Sequence, residues 1–364
     1  MLGPWRGRQS VERGRSMEQG YPGWSAGQRA AGAEDITVLI PTYNRIDLLL
    51  RTLRCLEGQS AAGFAVVIVD DGSTDDTAAQ LAAFVPTSPL AITIRHQINA
   101  GPARARNHGL SLVRTPLVLM IGDDTWPDPD FVAAHLAFHR SHPAPQDAAI
   151  GHTRWCETLQ VVTPFMRWLD MDGFQFSYRA LLAGETPHWR HFYTSNLSAK
   201  LALLGPAPFD ENFPAASMED IEAGLRLEEE AGMRLAFLPD AVVHHVHPMD
   251  YAGACRRARS IGRSMAIFQA LWPDHRLRHR GPVKRAAMGV VTSAPMMAVM
   301  TRMAGWSADR RTPGRFVAKL LKLHLEIGRR TEERKGALPA PRRIVRRDPA
   351  EPMFADPAPE RSAA

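Results

Sequence analysis

The chain has 364 residues, a hydrophobic fraction of 45%, a charged fraction of 23% and a formal net charge of +6, values typical of a soluble globular protein with a sizeable core. Its three cysteines, Cys55, Cys156 and Cys255, are far apart in sequence, which argues against a disulfide framework or a zinc site. The first residues contain no apolar segment of the secretory type, so we expect a cytoplasmic protein.

Charge is distributed unevenly along the chain. Residues 251–347 contain 23 Lys and Arg against 5 Asp and Glu, so the remainder is acidic. Such a basic region is suited to an anionic membrane surface, a nucleic acid or an acidic partner, although a solvated helical surface would explain it equally well.

The predicted elements begin after residues 1–34, which lack periodicity and are predicted to be disordered. Short apolar runs then alternate with segments of helical spacing; the runs are "ITVLIP", "FAVVIVD", "LAITIRH" and "PLVLMIG". This alternation predicts an α/β fold with a mostly parallel sheet covered by helices on both faces. Further along, "RHFYTSNLSAK" and "RLAFLPDAVVHHVHP" are predicted strands and "MEDIEAGLRLEEEAG" a helix.

The C-terminal part is predicted to be a basic helical extension, residues 251–336, followed by a disordered tail, residues 337–364. Within the extension, Val283 to Trp306 contains an apolar stretch shorter than the roughly 20 residues that span a bilayer. We interpret this stretch as a packed helix pair or as an interfacial helix with basic flanks.

Two pairs of aspartates follow predicted strands: Asp70 with Asp71, and Asp123 with Asp124. Ligands of parallel sheets bind at the carboxyl ends of the strands, so the two pairs are expected to share one cleft. Carboxylates at such an edge suit Mg²⁺ or Mn²⁺ bound to a diphosphate. The alternative is turn formation and helix capping, which we favour for Asp128 and Asp130.

A further candidate is Tyr43 in "IPTYNR", because an aromatic ring at a strand end can stack on a nucleobase. The sequence contains no Walker loop, and no Gly-x-Gly-x-x-Gly follows the first strand, which disfavours P-loop and dinucleotide-binding proteins.

Together, the stretches "VLIPTYNR", "VIVDDGSTDDT", "NAGPARARNHGL", "IGDDTWPDPDF" and "MEDIEAGLRLEEEAGMRLAFLPDAVVHHVH" resemble the family 2 glycosyltransferases of the GT-A fold, in that family's order. The resemblance covers about residues 35–248 and implies a GT-A domain over residues 35–250. It also implies an inverting, metal-dependent transferase that moves a sugar from a nucleoside diphosphate, with uridine diphosphate the expected carrier, to a hydroxyl of a glycan, lipid or protein.

The resemblance assigns roles residue by residue. It implies that the nucleotide is bound by Pro41, Tyr43, Asp70, Asp71, Arg106 and Asp123. It implies that Mn²⁺ or Mg²⁺ is bound by Asp124, Asp123 and His245, with His244 and His247 as rivals of His245. Ile121 stands where the commoner acid motif has its first Asp, so the direct ligand within the pair stays open.

The catalytic base implied by the resemblance is Asp220, with Glu219 in support. The spacing from Ser217 to Asp220 is also that of a capping box, a structural alternative. On the acceptor side we predict Trp189, Tyr193 and Asn196.

Two other functions compete with glycosyl transfer. A non-catalytic nucleotide-sugar-binding or scaffold protein would use the basic C-terminal region as its working surface. A sugar-nucleotide pyrophosphorylase is disfavoured, because Pro-Thr-Tyr-Asn stands where its Gly-rich loop is expected. The expected partners are the donor, the acceptor and an anionic membrane surface at the inner face of the cell membrane, with no nucleic acid.

Overall fold

A computed structural model of the chain describes residues 32–171, 175–176, 178–275, 294–308 and 313–345. The described strands are β1 Ile36–Thr42, β2 Ala65–Asp70, β3 Ala91–His96, β4 Leu117–Ile121, β5 Thr125–Pro127, β6 Asp147–Trp155, β7 Asn196–Lys200 and β8 Arg234–His245. The described helices of the sheet-containing part are α1 Ile46–Glu57, α2 Thr77–Phe84, α3 Pro102–Leu112, α4 Phe131–Ser141, α5 Pro164–Met171, α6 Tyr178–Leu182, α7 Leu201–Leu204 and α8 Glu219–Ala231. Those of the C-terminal part are α9 Tyr251–Leu271, α10 Ala294–Ala308 and α11 Arg315–Lys335.

These described strands form one mixed sheet in the order β3-β2-β1-β4-β7-β6-β8-β5. The strands β1 to β4 pair in parallel, and so do β6 and β8, whereas β7 runs antiparallel to both β4 and β6. The predicted α/β fold with a largely parallel sheet is therefore confirmed.

Alternating strand side chains build two hydrophobic cores, one on each face of the sheet. Leu39 of β1 packs on the face covered by α3 and α8, whereas Val38 and Ile40 pack on the face covered by α1 and α4. The predicted continuous apolar runs follow from this double burial, since both faces of each central strand are apolar.

β5 was not predicted, because the residues after Asp124 were interpreted as a turn and a helix start. Thr125 pairs with His245 of β8, and Trp126 with His244. Since this pairing brings Asp124 next to the end of β8, a three-residue strand joins two parts of the chain that are 120 residues apart.

The C-terminal helices α9 and α11 cross in unusually close backbone contact at two glycines. A Cβ atom added to Gly262 would lie 1.9 Å from the carbonyl oxygen of Leu325, and one added to Gly328 would lie 1.9 Å from that of Arg259. Side chains of this helical part, including Tyr251 and Leu320, share a core with Trp155 and Phe165 of the sheet-containing part.

The predicted disordered tail was placed from residue 337 onward, but residues 337–345 pack on the body of the protein. Arg342 donates its backbone N–H to Leu271, and its guanidinium contacts Glu222 at 2.9 Å and Asp210 at 2.8 Å. Leu338 and Ile344 lie against the core around Phe268. The rest of the predicted tail, and residues 1–31 of the predicted N-terminal segment, lie outside the described residues.

No helix among the described residues has both the length and the apolar character needed to cross a membrane. The predicted apolar stretch from Val283 to Trp306 lies outside the described residues up to residue 293, and its remainder is part of α10.

Candidate active site

A cavity of about 470 Å³ opens at the carboxyl ends of β1 and β4. Most of the residues predicted for the site line this cavity: Pro41, Tyr43, Asp71, Arg106, Asp123, Asp124, Tyr193, Glu219, Asp220 and His245. Residues more than 200 positions apart in sequence therefore meet in one space.

One wall of the cavity is formed by the loops after β1 and β2. Tyr43 is 46% exposed at its edge. The next residue, Asn44, adopts a positive φ of 52°, and its side-chain oxygen accepts the backbone N–H of Thr74 at 2.7 Å. This bond ties the loop that carries Tyr43 to the loop after β2.

The carboxylate of Asp71 organises the loop that follows β3. Its Oδ1 accepts hydrogen bonds from Gln97 at 2.7 Å and from the backbone N–H of Ala100 at 2.9 Å, and its Oδ2 accepts the N–H of Gly101 at 2.9 Å. A carboxylate offers about four acceptor positions, so Asp71 keeps capacity for one more donor.

The neighbouring Asp70 does not line the cavity. Its carboxylate is buried, accepts the N–H of Ser73 at 2.9 Å and contacts the ring of His96 at 2.9 Å. Asp70 thus shapes the turn after β2, in contrast to the nucleotide-binding role predicted for it.

Arg45 lies between the two carboxylates of the second acid pair. Its NH1 group is 2.7 Å from Asp124 Oδ2 and 3.3 Å from Asp123 Oδ1. Thr42 donates its hydroxyl to Asp123 at 2.8 Å. The positive guanidinium offsets the repulsion between the two adjacent carboxylates, so the chain can hold two aspartates side by side.

The two aspartates differ in proton affinity. Burial, together with the charge of Asp124, raises the pKa of Asp123 to about 6. Burial would also raise the pKa of Asp124, but His245, His247 and Arg45 outweigh it and hold that pKa well below its ordinary value. Asp124 is therefore the more strongly ionised carboxylate of the pair.

Two histidines converge on Asp124. Its Oδ2 lies 3.3 Å from His245 Nε2 and 3.6 Å from His247 Nδ1, and these three atoms all lie within 4.8 Å of one another. The imidazole of His245 is held between the rings of Trp155 and His247, stacked on both at 5.3 Å. His244 points away and contacts Asp128 at 2.9 Å.

The opposite wall is the start of α8. Met218 precedes the helix with a positive φ of 70°, and Ser217 bonds Ser264 rather than the helix start, so the capping-box alternative is wrong. Glu219 is buried and accepts Arg106 NH1 at 2.8 Å, whereas Asp220 is partly exposed and lines the cavity.

The first two carboxylates of α8, those of Glu219 and Asp220, hold protons more tightly than usual. Burial and the charge of Asp220 raise the pKa of Glu219 to about 7, against the influence of Arg106. Burial also raises the pKa of Asp220. Arg106 was predicted to bind the nucleotide. It lines the cavity, but its guanidinium donates a hydrogen bond to Glu219.

Two residues predicted for the acceptor side lie elsewhere. Trp189 is buried, with its ring stacked on Phe268 at 5.9 Å. Asn196 is fully buried at the start of β7, where it donates to Ala241 O at 2.8 Å and contacts His135 at 3.0 Å.

Neither Asp128 nor Asp130 caps α4 with its side chain, in contrast to the prediction. Asp130 occupies the N-cap position of α4, but its side chain accepts from Ser60 at 2.7 Å and makes no cap hydrogen bond. The side chain of Asp128 contacts His244 instead.

Sequence reasoning missed Arg257, which projects from α9 and lines the cavity. Its Nε atom is buried without a hydrogen-bond partner, and Arg257 makes no ion pair among the residues that the structure describes. Burial lowers its pKa, and the charges of Asp220, Asp124 and Glu219 oppose that shift. Within the run of arginines in α9, only the fold shows which one faces the cavity.

Comparisons with known proteins show which sequences this chain is similar to. Residues 37–186 match the family model described as Glycosyl transferase family 2. The validoxylamine A glucosyltransferase of Streptomyces hygroscopicus subsp. jinggangensis is 31% identical over 215 residues, which cover 53% of this chain and 51% of that protein. The succinoglycan biosynthesis protein ExoU of Rhizobium meliloti is 29% identical over 174 residues, which cover 43% of this chain and 47% of that protein. The chain thus spans about half the length of these curated relatives.

A solved structure has a similar fold. It is a mannosyltransferase from Pyrobaculum calidifontis in complex with GDP-Man and Mn²⁺, with a TM-score of 0.54 and 19% sequence identity; the match covers 85% of this chain and 90% of that one. At this identity the likeness concerns the fold.

Proposed function

We propose that this chain is a family 2 glycosyltransferase of GT-A fold that transfers a sugar, with inversion, from a nucleoside diphosphate to an acceptor hydroxyl. The match of residues 37–186 to that family model supports the proposal. Uridine diphosphate is the expected carrier. The observation that carries the proposal is the single cavity in which the pair Asp123 and Asp124 faces Asp220.

The nucleoside is proposed to lie along the wall formed by Tyr43 and Asp71. The exposed ring of Tyr43 provides a stacking surface for a base. The remaining acceptor position of Asp71 suits a ring N–H of the base, while its other bonds keep the loop after β3 in place.

The residues around Asp124 fit a divalent cation. One carboxylate oxygen and two imidazole nitrogens already converge at Asp124, His245 and His247, and this mixture of ligands favours Mn²⁺ over Mg²⁺. The geometry supports Asp124, rather than Asp123, as the direct ligand, while Thr42 holds Asp123 in place. When bound, the cation would stabilise negative charge on the departing diphosphate.

Asp220 is proposed as the catalytic base. It is exposed to the cavity, whereas Glu219 is buried and held by Arg106. Asp220 takes the proton of the acceptor hydroxyl while that oxygen forms a bond to the anomeric carbon. The bond from this carbon to the diphosphate oxygen breaks in the same step, so one displacement inverts the configuration.

The helical C-terminal part is proposed to contact an anionic membrane surface at the inner face of the cell membrane. Val299 and Met303 of α10 and Phe316 of α11 are exposed, and Arg302 and Arg315 are their neighbours in sequence. Apolar side chains flanked by cations suit such a surface. The double variant Met303→Ser, Phe316→Ser should lose sedimentation with phosphatidylglycerol vesicles; unchanged sedimentation would reject the contact.

The test of the proposed function is a thermal-shift screen of nucleoside diphosphates and their sugars, with and without Mn²⁺. A ligand that binds the folded state raises its apparent stability. We expect stabilisation by one class of nucleoside diphosphate, and a further gain with Mn²⁺ that Asp124→Asn abolishes. The matched control is Asp128→Asn, which lies outside the cavity and should keep the gain.

Absence of stabilisation by every nucleoside diphosphate would reject the proposal. Donor binding without any hydrolysis or transfer would favour a non-catalytic nucleotide-sugar-binding protein.

A further inference from the structure

A second cavity lies directly beside the candidate active site. Its volume is about 160 Å³, and it is enclosed by α5, α9, α11 and the segment before α9. Its lining is almost entirely apolar; the aliphatic and thioether contributors include Leu169, Met249, Ile261, Met265 and Leu321. Thioether side chains adapt their shape easily, so this wall suits a flexible hydrocarbon.

The two cavities meet at Gln175 and Arg257, which line both of them. Arg257 therefore has the apolar space on one side and the carboxylates of the site on the other, with Asp220 exerting the largest attraction on it. Gln175 and Arg257 are thus the residues at which the space around Asp220 adjoins the apolar space.

The dimensions of the second cavity limit what it can hold. An apolar cavity of about 150 Å³ in another protein stays free of water and binds benzene, so this one has room for about six carbon atoms. Its partly exposed lining residues, Ile261, Met265 and Leu325, mark the side at which a longer chain could continue outward.

From these observations, and resting on the proposed transferase function, we propose that the acceptor is amphipathic and that its hydrocarbon chain occupies the second cavity. The acceptor hydroxyl then lies near Asp220, and the polar group that follows it passes Arg257. Two helices of the C-terminal part, α9 and α11, thus complete the acceptor site.

The experiment measures calorimetrically the binding of methyl, butyl and hexyl β-D-glucoside, each below its micelle concentration. Each buried methylene strengthens binding about fourfold, so hexyl glucoside should bind roughly 15-fold more tightly than butyl glucoside. The variant Ala258→Phe, which fills the cavity, should remove this dependence on chain length. The matched control is Ala252→Phe, the same change at an exposed position of α9, which should retain it.

Should Ala258→Phe fail to fold, Ile261→Thr provides a second test, because it places a hydroxyl in a partly exposed part of the wall. We expect the dependence on chain length to weaken several-fold in this variant. Binding that does not strengthen from butyl to hexyl in the unaltered protein, or strengthens equally in the variants, overturns the proposal.

The nucleoside diphosphate screen on the same preparations separates this outcome from failure of the proposed function. Nucleotide binding without dependence on chain length would leave glycosyl transfer standing and reject the hydrocarbon site. Loss of nucleotide binding as well would reject the transferase function on which the proposal rests.

Discussion

The two walls of the candidate active site are built in different ways. The wall with Tyr43 and Asp71 comes from strand ends that are paired in parallel, with Thr42 beside Asp70 in the register. The wall with Asp220 and Arg257 comes from the starts of helices α8 and α9, held by side-chain contacts across the chain. On the first wall, backbone pairing fixes the strand ends and the side chains of Asn44 and Asp71 fix the loops that follow. The second wall depends on side-chain contacts between distant helices.

The two walls should therefore differ in how strongly a substitution affects them. The strands of the first wall are joined by backbone hydrogen bonds, which do not depend on the identity of the side chains, whereas the helix wall relies on Glu222, Arg342 and the glycine crossing. The following predictions test the second wall.

The largest effect is expected for Asp220→Asn. Removal of the proposed base should lower the rate of sugar transfer by about 10²- to 10⁴-fold, since an amide cannot accept the proton. Nucleoside diphosphate release in the presence of acceptor measures this rate, and a thermal shift with the nucleotide shows whether the donor side is intact. Asp240→Asn, an exposed change on β8, is the matched control. Full activity in Asp220→Asn would show that another group is the base.

The second prediction concerns the stability of the crossing between α9 and α11. Gly262→Ala places a methyl group 1.9 Å from the carbonyl oxygen of Leu325, so the helices must move apart at a cost of about 1–3 kcal/mol or more. Gly305→Ala is the control: its Cβ meets only Tyr251 at 3.4 Å, and we expect an unchanged or higher stability. Urea denaturation measures both. Equal stability of the two variants would mean that the crossing is not constrained.

A smaller effect is expected for Arg342→Met, which removes the contacts to Glu222 and Asp210. Glu222 is fully buried and also accepts from Arg226 and Trp272, so its network is weakened and not abolished. Because Arg342 is partly exposed, we expect a loss of about 1–2 kcal/mol in the free energy of unfolding. The neighbouring exposed Arg343→Met is the control and should change little. A comparable loss there would show that the loss of stability does not come from the ion pairs of Arg342.

The last prediction concerns the dependence of stability on pH. The pKa of Glu219 rises to about 7 in the folded protein from an ordinary value of 4.5. Between these pH values the folded state keeps a proton that the unfolded state has lost, so this group makes stability fall as pH rises through the window. Denaturation at pH 5, 6, 7 and 8 should show a shallower fall in Glu219→Gln than in the unaltered protein. Parallel curves would contradict the assignment.

Much of the first wall could be predicted from sequence, because a local sequence pattern indicates each of its strands. Continuous apolar runs located β1, β2 and β4, and the aspartates after them follow from where those runs stop. Two other features of the site follow from no local pattern. β5 is three residues long and exists through its pairing with β8, and Arg257 is one of several arginines on one helix.

The same reasoning explains the residues that were placed wrongly. An asparagine at the start of a strand looks alike whether it faces the cavity or the core, and Asn196 faces His135 and Ala241. Trp189 was predicted to line the acceptor side, but the packing of α9 against it buries its ring. Both errors concern direction, which sequence periodicity does not fix at the end of an element.

The glycine crossing of α9 and α11 has a consequence for how the neighbouring cavity could diversify. Since the two backbones are already in contact at Gly262 and Gly328, the distance between the helices has reached its lower limit. The volume beside them can then change only through side chains such as those at positions 258, 261 and 265. The helical frame and the size of the space it encloses can therefore vary independently, so relatives with the same fold could accept different molecules.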